Sequence, residues 1–167
     1  MRASLIALAC GLLTVSACSK PAAPAGGSPP STAVGAAPPP AGLTDPQKKA
    51  ILAALPAAYQ SADLDNGQTK FAMCRSCHTL ARGGDSGVGP NLWGVFGRKA
   101  GSLAGFAYSE GLKTQTFVWD ADHLNSWISK PSAMIPGTKM SYIGMESPKD
   151  RIDTIAYLAT VTSPAPK

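Results

Sequence analysis

The chain has 167 residues and a formal net charge of +5, from 15 Lys and Arg against 10 Asp and Glu. This length suits one domain of roughly 100 residues with accessory segments, and so small a basic surplus argues against nucleic acid binding. The four cysteines suggest no disulfide framework, so we expect a cofactor and a lipid to use them.

Residues 1–17 have the features of an export signal: Arg2 precedes an apolar run too short to span a membrane and stop there. The segment ends at Val15-Ser16-Ala17-Cys18, which resembles the lipobox of bacterial lipoproteins. In that motif the cysteine is lipidated and becomes the mature N-terminus. We expect lipidation at Cys18; cleavage without a lipid is the alternative, because small residues precede any such cut.

Residues 18–42 are predicted to be a tether. After Cys18 the composition falls to Pro, Ala, Gly and Ser, with almost no large apolar side chains to build a core. A stalk of this kind agrees with a lipidated cysteine at its far end. Residues 163–167 are predicted to be a short tail.

One accessory helix is predicted within residues 43–60. The helix is predicted to begin with Thr44 as its cap and Pro46 in its first turn. It is predicted to end around Pro56. We expect this helix to lie on the surface of the main domain.

The main domain is predicted at residues 61–162, with a helix near each end. The first helix covers residues 63–74 and contains Gly67, which costs about 1 kcal/mol relative to alanine inside a helix. The second begins at Ser147, with Pro148 in its first turn. A close crossing of the two helices at Gly67 would explain the glycine.

The central motif is Cys74-Arg75-Ser76-Cys77-His78. Two thiols about one helical turn apart can add to the two vinyl groups of one haem, while the adjacent imidazole binds its iron. The alternatives are a thioredoxin-type redox motif, half of a zinc site, or chance. A covalent haem is favoured because the chain offers no βαβ pattern around the motif and no second pair of zinc ligands.

A second iron ligand is predicted downstream, in the loop 135–140. Pro136 and Gly137 force this segment out of a helix and present Met140 on a constrained loop. Met134 and Met145 are nearby competitors, and most methionines only fill a core. The fixed Pro-Gly geometry favours Met140.

The segment between the motif and this loop contains little regular structure. Residues 83–101 are rich in glycine and predict a loop that wraps around the cofactor. Short helices are predicted at residues 109–114 and 120–129, the latter stopped by Pro131. Strand signals are weak throughout, so the predicted fold is all-α.

At this point the residues resemble the small class I monohaem cytochromes c, close to mitochondrial cytochrome c and its bacterial soluble relatives. The resemblance covers residues 63–159. It is carried by the haem motif and by segments in the same order: Gly89-Pro90-Asn91-Leu92, Gly94, Phe96-Gly97-Arg98-Lys99, Phe106, Tyr108, Trp119, the loop 135–140 and Ile155-Ala156-Tyr157-Leu158. It implies the small cytochrome c fold, with crossing N- and C-terminal helices and a haem wrapped by loops.

The resemblance also implies roles for individual residues. Cys74 and Cys77 match the thioether attachments of one haem c. His78 matches the proximal iron ligand and Met140 the distal one, while the carbonyl of Pro90 should accept a hydrogen bond from the other ring nitrogen of His78. Donors around the haem propionates are expected from a further set: Arg98, Tyr108, Trp119 and Thr138. Each of these could instead make only a structural hydrogen bond, and Trp119 could serve core packing alone.

Some positions depart from the mitochondrial pattern. Trp127 stands where those relatives usually have a tyrosine that bonds to the methionine sulfur. Met73, Ser132 and Ala133 occupy positions that tend to carry lysines at the haem edge. Basic residues near the motif could still form a patch that steers an acidic partner, or only an ordinary solvated rim: Lys70, Arg75, Arg82, Lys99 and Lys139.

These observations predict a monomeric one-electron carrier, not an enzyme, in the periplasm and lipid-anchored to a membrane through Cys18. It would shuttle electrons between a quinol-oxidising complex (a quinol:cytochrome c oxidoreductase) and a terminal oxidase or reductase. One alternative is a haem peroxidase or small-molecule redox enzyme, which needs an acid–base group above an open iron; His123 lies well away from the loop 135–140 in sequence. Another is a haem-containing sensor or docking subunit.

Overall fold

The computed structural model describes residues 43–164. Over this range it has seven α-helices, one 3-10 turn at Cys74–Ser76 and no strand; Lys99 and Val118 form an isolated antiparallel bridge. The helices are α1 Asp45–Ala53, α2 Ala57–Gln60, α3 Leu64–Phe71, α4 Glu110–Lys113, α5 Ala121–Ser129, α6 Pro131–Met134 and α7 Pro148–Thr162. The all-α prediction is confirmed. The predicted signal peptide, Cys18 and the tether lie outside the described residues.

The predicted crossing of the two terminal helices is confirmed, because α3 packs across α7 with Gly67 at the point of contact. A β-carbon on Gly67 would lie 2.8 Å from that of Tyr157 and would also collide with the backbone of Asp153. One turn further on, Phe71 is fully buried and its ring centroid lies 5.7 Å from that of Tyr157. Only glycine allows the two backbones to approach this closely.

Asp153 joins the two helices through its buried carboxylate. It accepts hydrogen bonds from the backbone N–H of Asp63 (3.0 Å), from Nδ2 of Asn66 (2.7 Å) and from Nζ of Lys149 (2.5 Å). Burial acts to raise the pKa of this carboxyl, but the hydrogen bonds from Lys149 and Asn66 outweigh it and hold the pKa below its ordinary value. The start of α3 is therefore fixed to α7 by a charged group in its ionised form.

The segment 43–60 contains two helices, so the prediction of a single accessory helix is wrong. Thr44 caps α1 as expected, but a second helix starts directly after Pro56, which is the N-cap residue of α2. Tyr59 of α2 is buried, and its hydroxyl donates to the carbonyl of Ala121 at 3.1 Å. Both helices pack against α7. None of the described helices is long and apolar enough to cross a lipid bilayer.

Two other boundaries differ from the predictions. The helix predicted at 63–74 ends at Phe71, because the N–H of Ala72 bonds to Thr69, three residues back, and the chain tightens into turns. Pro131 does more than stop α5: it is the first residue of α6, after an extended residue at Lys130. The other predicted helices are confirmed, and so is the long loop, since residues 77–109 contain no helix. Residues 165–167 of the predicted tail lie outside the described residues.

Candidate cofactor site

A cavity of about 290 Å³ lies within the main domain. Most of its wall is apolar, with Leu124 and Trp127 from α5 and Ile155 and Leu158 from α7. The haem motif and the Met140 loop reach this same cavity. The fold therefore gathers side chains that are far apart in the sequence around one apolar space.

The 3-10 turn places both motif cysteines on the cavity wall. The backbone N–H groups of Cys77 and His78 both bond to the carbonyl of Cys74, at 3.1 and 2.9 Å. Neither thiol pairs with another cysteine of the described residues. Burial, followed by the neighbouring Cys77, raises the pKa of the Cys74 thiol to about 11. The two thiols are therefore positioned side by side for attachment of one group.

His78 has one ring nitrogen fixed and one free to bind a metal. Its Nδ1 lies 2.8 Å from the carbonyl oxygen of Pro90, and we assign the proton to Nδ1 because a carbonyl can only accept. Burial lowers the pKa of His78, and the hydrogen bond with Pro90 opposes part of this shift. A β-carbon on Gly89 would lie 2.7 Å from Nδ1, so the glycine lets the backbone pass close to the ring. The neutral imidazole keeps Nε2 available as a ligand.

Met140 lines the cavity on a loop fixed by local hydrogen bonds. Gly137 has φ 75°, a conformation that favours glycine, and the N–H of Thr138 bonds to the carbonyl of Ile135 at 3.2 Å. The Thr138 hydroxyl then accepts from the N–H of Met140 at 3.2 Å. The two competing methionines are not among the residues that line the cavity: Met134 packs against the core, and Met145 is buried beside Thr154.

The four predicted propionate donors, Arg98, Tyr108, Trp119 and Thr138, all line the cavity. The guanidinium of Arg98 already donates to the backbone carbonyls of Asn91 (2.9 Å) and Trp93 (2.5 Å). Since a guanidinium has five N–H groups, Arg98 can hold this loop and still offer donors to an acidic group. The arrangement is compatible with the predicted role and adds a structural one.

Ser109 is a cavity residue that the sequence did not indicate. It is only 6% exposed, and among the described residues its hydroxyl is a buried polar group without a hydrogen-bond partner. A buried hydroxyl left unpaired costs about 1–3 kcal/mol. It stands at the N-cap position of α4, yet its side chain makes no capping bond. The unpaired hydroxyl on the cavity wall points to a bound polar group.

The donor set fits a covalently attached haem. Two thiols, one imidazole nitrogen and one thioether face a space with apolar walls, which suits the porphyrin, and polar groups including Ser109 suit its propionates. His123 is not among the lining residues: its Nδ1 lies 2.8 Å from Oδ1 of Asp120, and its ring stacks on Phe117.

Several side chains of the predicted basic patch make polar contacts within the molecule, and one of them pairs with a carboxylate. Lys70 pairs with Asp150 at 2.9 Å, Arg75 donates to the hydroxyl of Tyr157 at 2.6 Å, and Lys139 donates to the carbonyl of Ala107 at 3.0 Å. Three of the five basic side chains thus have partners within the same molecule.

Comparisons with known proteins agree with this site. Residues 64–162 match the family model described as Cytochrome c. Cytochrome c2 of Rhodomicrobium vannielii is 42% identical over 103 residues, which are 62% of this chain and 82% of that protein. Cytochrome c of Cochliobolus lunatus is 40% identical over 105 residues, 62% of this chain and 97% of that protein.

A solved structure gives the same answer for the fold. Cytochrome cH from Methylobacterium extorquens matches with a TM-score of 0.55 and 42% identity, over 59% of this chain and 99% of that chain. The cofactor is haem c, held covalently through Cys74 and Cys77. Because the family match spans more than half of the sequence and the site has the matching chemistry, the chain belongs to the cytochrome c family.

Proposed function

We propose that this cytochrome is a monomeric one-electron carrier of the periplasm, tethered to a membrane by a lipid on Cys18. Its partners would be a quinol-oxidising complex on one side and a terminal oxidase or reductase on the other. The observation that carries the proposal is that His78 and Met140 line one cavity, with Nε2 as the free ring nitrogen of His78. An iron held by both residues has no open position for a substrate.

Haem c, when bound, supplies an iron that cycles between Fe(II) and Fe(III), and a thioether ligand raises its reduction potential. Pro90 orients the imidazole of His78 through the 2.8 Å hydrogen bond and fixes its tautomer. The constrained loop at Gly137 holds Met140 in place, so that this ligand moves little between oxidation states.

The remaining cavity residues would exclude water and hold the propionates. Trp127 and Leu124 are buried on the apolar wall. We assign hydrogen bonds to the propionates from a set of cavity residues: Arg98, Tyr108, Ser109, Trp119 and Thr138. Ser109 is the best supported of these, because its buried hydroxyl otherwise has no partner among the described residues.

The ligand role of Met140 is tested with a matched pair, Met140→Leu and Met134→Leu, which keep side-chain volume similar. Met140→Leu should lower the reduction potential and open the iron to exogenous ligands, because the thioether is lost. Met134→Leu should leave both properties near wild type. Visible spectra and potentiometric titration of the holoproteins measure these effects. A Met140→Leu protein with an unchanged low-spin spectrum and potential would rule out the assignment.

The tether is tested by mass spectrometry of the native protein. We expect a mass that starts at Cys18 and includes both one haem and a lipid modification on that cysteine. The variant Cys18→Ser should lose the lipid and partition into the soluble fraction. A native protein that begins at Cys18 without a lipid would contradict the anchor and leave the carrier function intact.

A further inference from the structure

Met73 is an exposed methionine directly before the haem motif. Its exposed fraction is 55%, although it also lines the haem cavity. The other methionines of the described residues are less accessible: Met145 is buried, and Met134 and Met140 are partly buried. Met73 therefore offers the most accessible thioether in the described part of the chain.

A hydrogen bond joins Met73 to the segment that follows Met140. The hydroxyl of Tyr142 donates to Sδ of Met73 at 3.3 Å. Within the described residues, this is the only hydrogen bond of the Tyr142 side chain, which is partly buried and lines the cavity. The bond thus connects the residue before the first haem cysteine to the residue two positions after the proposed iron ligand.

The segment 141–144 is held at both ends and has few restraints in between. The N–H groups of Met140 and Met145, which flank it, make hydrogen bonds of 3.2 and 2.8 Å. None of the N–H groups of residues 141–144 donates to another group of the described residues. The bond from Tyr142 to Met73 is therefore the polar contact that fixes the middle of this segment.

Oxidation of a thioether changes what it can accept. A thioether sulfur is a weak acceptor, whereas methionine sulfoxide is polar and accepts through its S=O oxygen. With hydrogen peroxide, a sulfur lone pair attacks one peroxide oxygen, so that the O–O bond breaks as the S–O bond forms. The leaving oxygen takes the second proton and departs as water; sulfur loses two electrons and the peroxide gains them. Because the Met73 side chain is exposed and flexible, it can turn the added oxygen toward the Tyr142 hydroxyl.

We propose that Met73 is a site of oxidation to the sulfoxide by hydroperoxides, and that the sulfoxide holds Tyr142 and the segment 141–144 more tightly than the thioether does. Oxidation then slows the opening of the segment beside Met140. The modification site is independent of the carrier function, whereas the effect on iron ligation rests on the proposed role of Met140.

The surroundings of the other methionines protect them from the same reaction. Met145 is buried, and its sulfur accepts from the Thr154 hydroxyl at 3.7 Å. Met134 packs against the core, and Met140 lines the cavity as the proposed ligand. Since susceptibility follows exposure, Met73 should react with peroxide about tenfold faster than any of these three.

The first experiment treats the haem-loaded full chain with hydrogen peroxide in the presence of a metal chelator, and catalase ends the reaction. Peptide mass spectrometry follows the added oxygen on each methionine, and the visible spectrum shows that the haem is intact. Met73→Leu, which keeps the side-chain volume similar, should lose the fast-reacting site. Oxidation that appears first at Met134, Met140 or Met145 would overturn the proposal.

The second experiment compares the parent protein, Met73→Leu and Tyr142→Phe before and after peroxide. It measures hydrogen exchange at the N–H groups of Met140 and Met145 and the rate at which imidazole binds the iron. Oxidation of the parent should slow both processes about threefold, as one stronger hydrogen bond can. Neither variant should respond, because one lacks the sulfur and the other lacks the donor.

Two results of this comparison would contradict the proposal: an oxidised parent whose hydrogen exchange is unchanged or faster, and an equal slowing in Tyr142→Phe. If the iron has a ligand other than Met140, imidazole binding will not respond to oxidation, while hydrogen exchange will still slow. The failure of the ligand assignment is thereby distinguished from the failure of the oxidation site.

Discussion

The two ring nitrogens of His78 have different roles. One backbone carbonyl decides which nitrogen carries the proton and which is left to bind a metal. The carbonyl of Pro90 accepts a hydrogen bond from Nδ1–H at an N···O distance of 2.8 Å, while burial lowers the pKa of the ring and favours its neutral form. Gly89 makes this possible, since a side chain at that position would collide with the ring. The ligand atom is thus selected by residues that themselves have no metal-binding group.

Ser109 gives a prediction at the scale of one hydroxyl. In the holoprotein, Ser109→Ala should remove a hydrogen bond to a propionate and lower both the reduction potential and the stability, the latter by about 1 kcal/mol. The potential falls because a less neutralised propionate favours Fe(III). Ser102→Ala, which removes an exposed hydroxyl bonded to Lys99, is the control. Spectroelectrochemistry and thermal unfolding measure the two effects, and an unchanged potential would place the hydroxyl away from the propionates.

Motif residues could be predicted from sequence because their spacing reflects local chemistry. One turn of backbone is enough to bring Cys74, Cys77 and His78 to the same cofactor. The pair Pro136-Gly137 likewise indicates a constrained loop. Ser109 could not be predicted, because nothing local distinguishes a helix cap from a hydroxyl left unpaired in a cavity. The partners of Arg75 and Lys139 depend on residues at a distance in the chain, so their side chains looked free in the sequence.

The crossing of α3 and α7 gives a prediction at the scale of two helices. Gly67→Ala should destabilise the protein by about 2 kcal/mol, because a clash of about 3 kcal/mol with α7 exceeds the gain of about 1 kcal/mol in helix propensity. Thr69→Ala, at an exposed position of α3, should be close to neutral. Urea unfolding of the holoproteins compares them. A stabilised Gly67→Ala would mean that the two helices are further apart than the structure places them.

Asp153 makes the same crossing dependent on pH. Its pKa is depressed in the folded state, so its stabilisation is complete above the unfolded carboxyl value of about 3.9 and is lost as the pH falls through the lower folded value. Asp153→Asn should cost about 2 kcal/mol near neutral pH, and the difference from wild type should shrink as the pH falls below about 4. Thermal unfolding of both proteins from neutral to acidic pH measures this difference in stability. Other groups that titrate in acid affect both proteins alike, so their effects cancel in the difference. A difference in stability that stays constant with pH would contradict the role of the ionised carboxylate.

Helix starts could be predicted better than helix ends. Thr44 and Ser147 with their following prolines mark α1 and α7 directly, since capping is a local interaction. The end of α3 at Phe71 follows from the tightening at Ala72. The helix α2 depends on the burial of Tyr59 against α5, which no local pattern reports.

At the scale of the whole molecule, the described domain combines a closed interior with an apolar opening. The charges that a sequence count assigns to the surface are partly used within the fold, as Lys70 shows with Asp150 and Lys149 with Asp153. These pairs leave the net charge unchanged, but they fix where single charges lie on the folded molecule.

The bond between Tyr59 and Ala121 has a mechanical consequence. The helices α1 and α2 precede the main domain, and this bond and the packing against α7 attach them to its body. A force applied at residue 43 would pass first into α5 and α7. The tether proposed for residues 18–42 would therefore pull on helices and not directly on the loop that carries Met140.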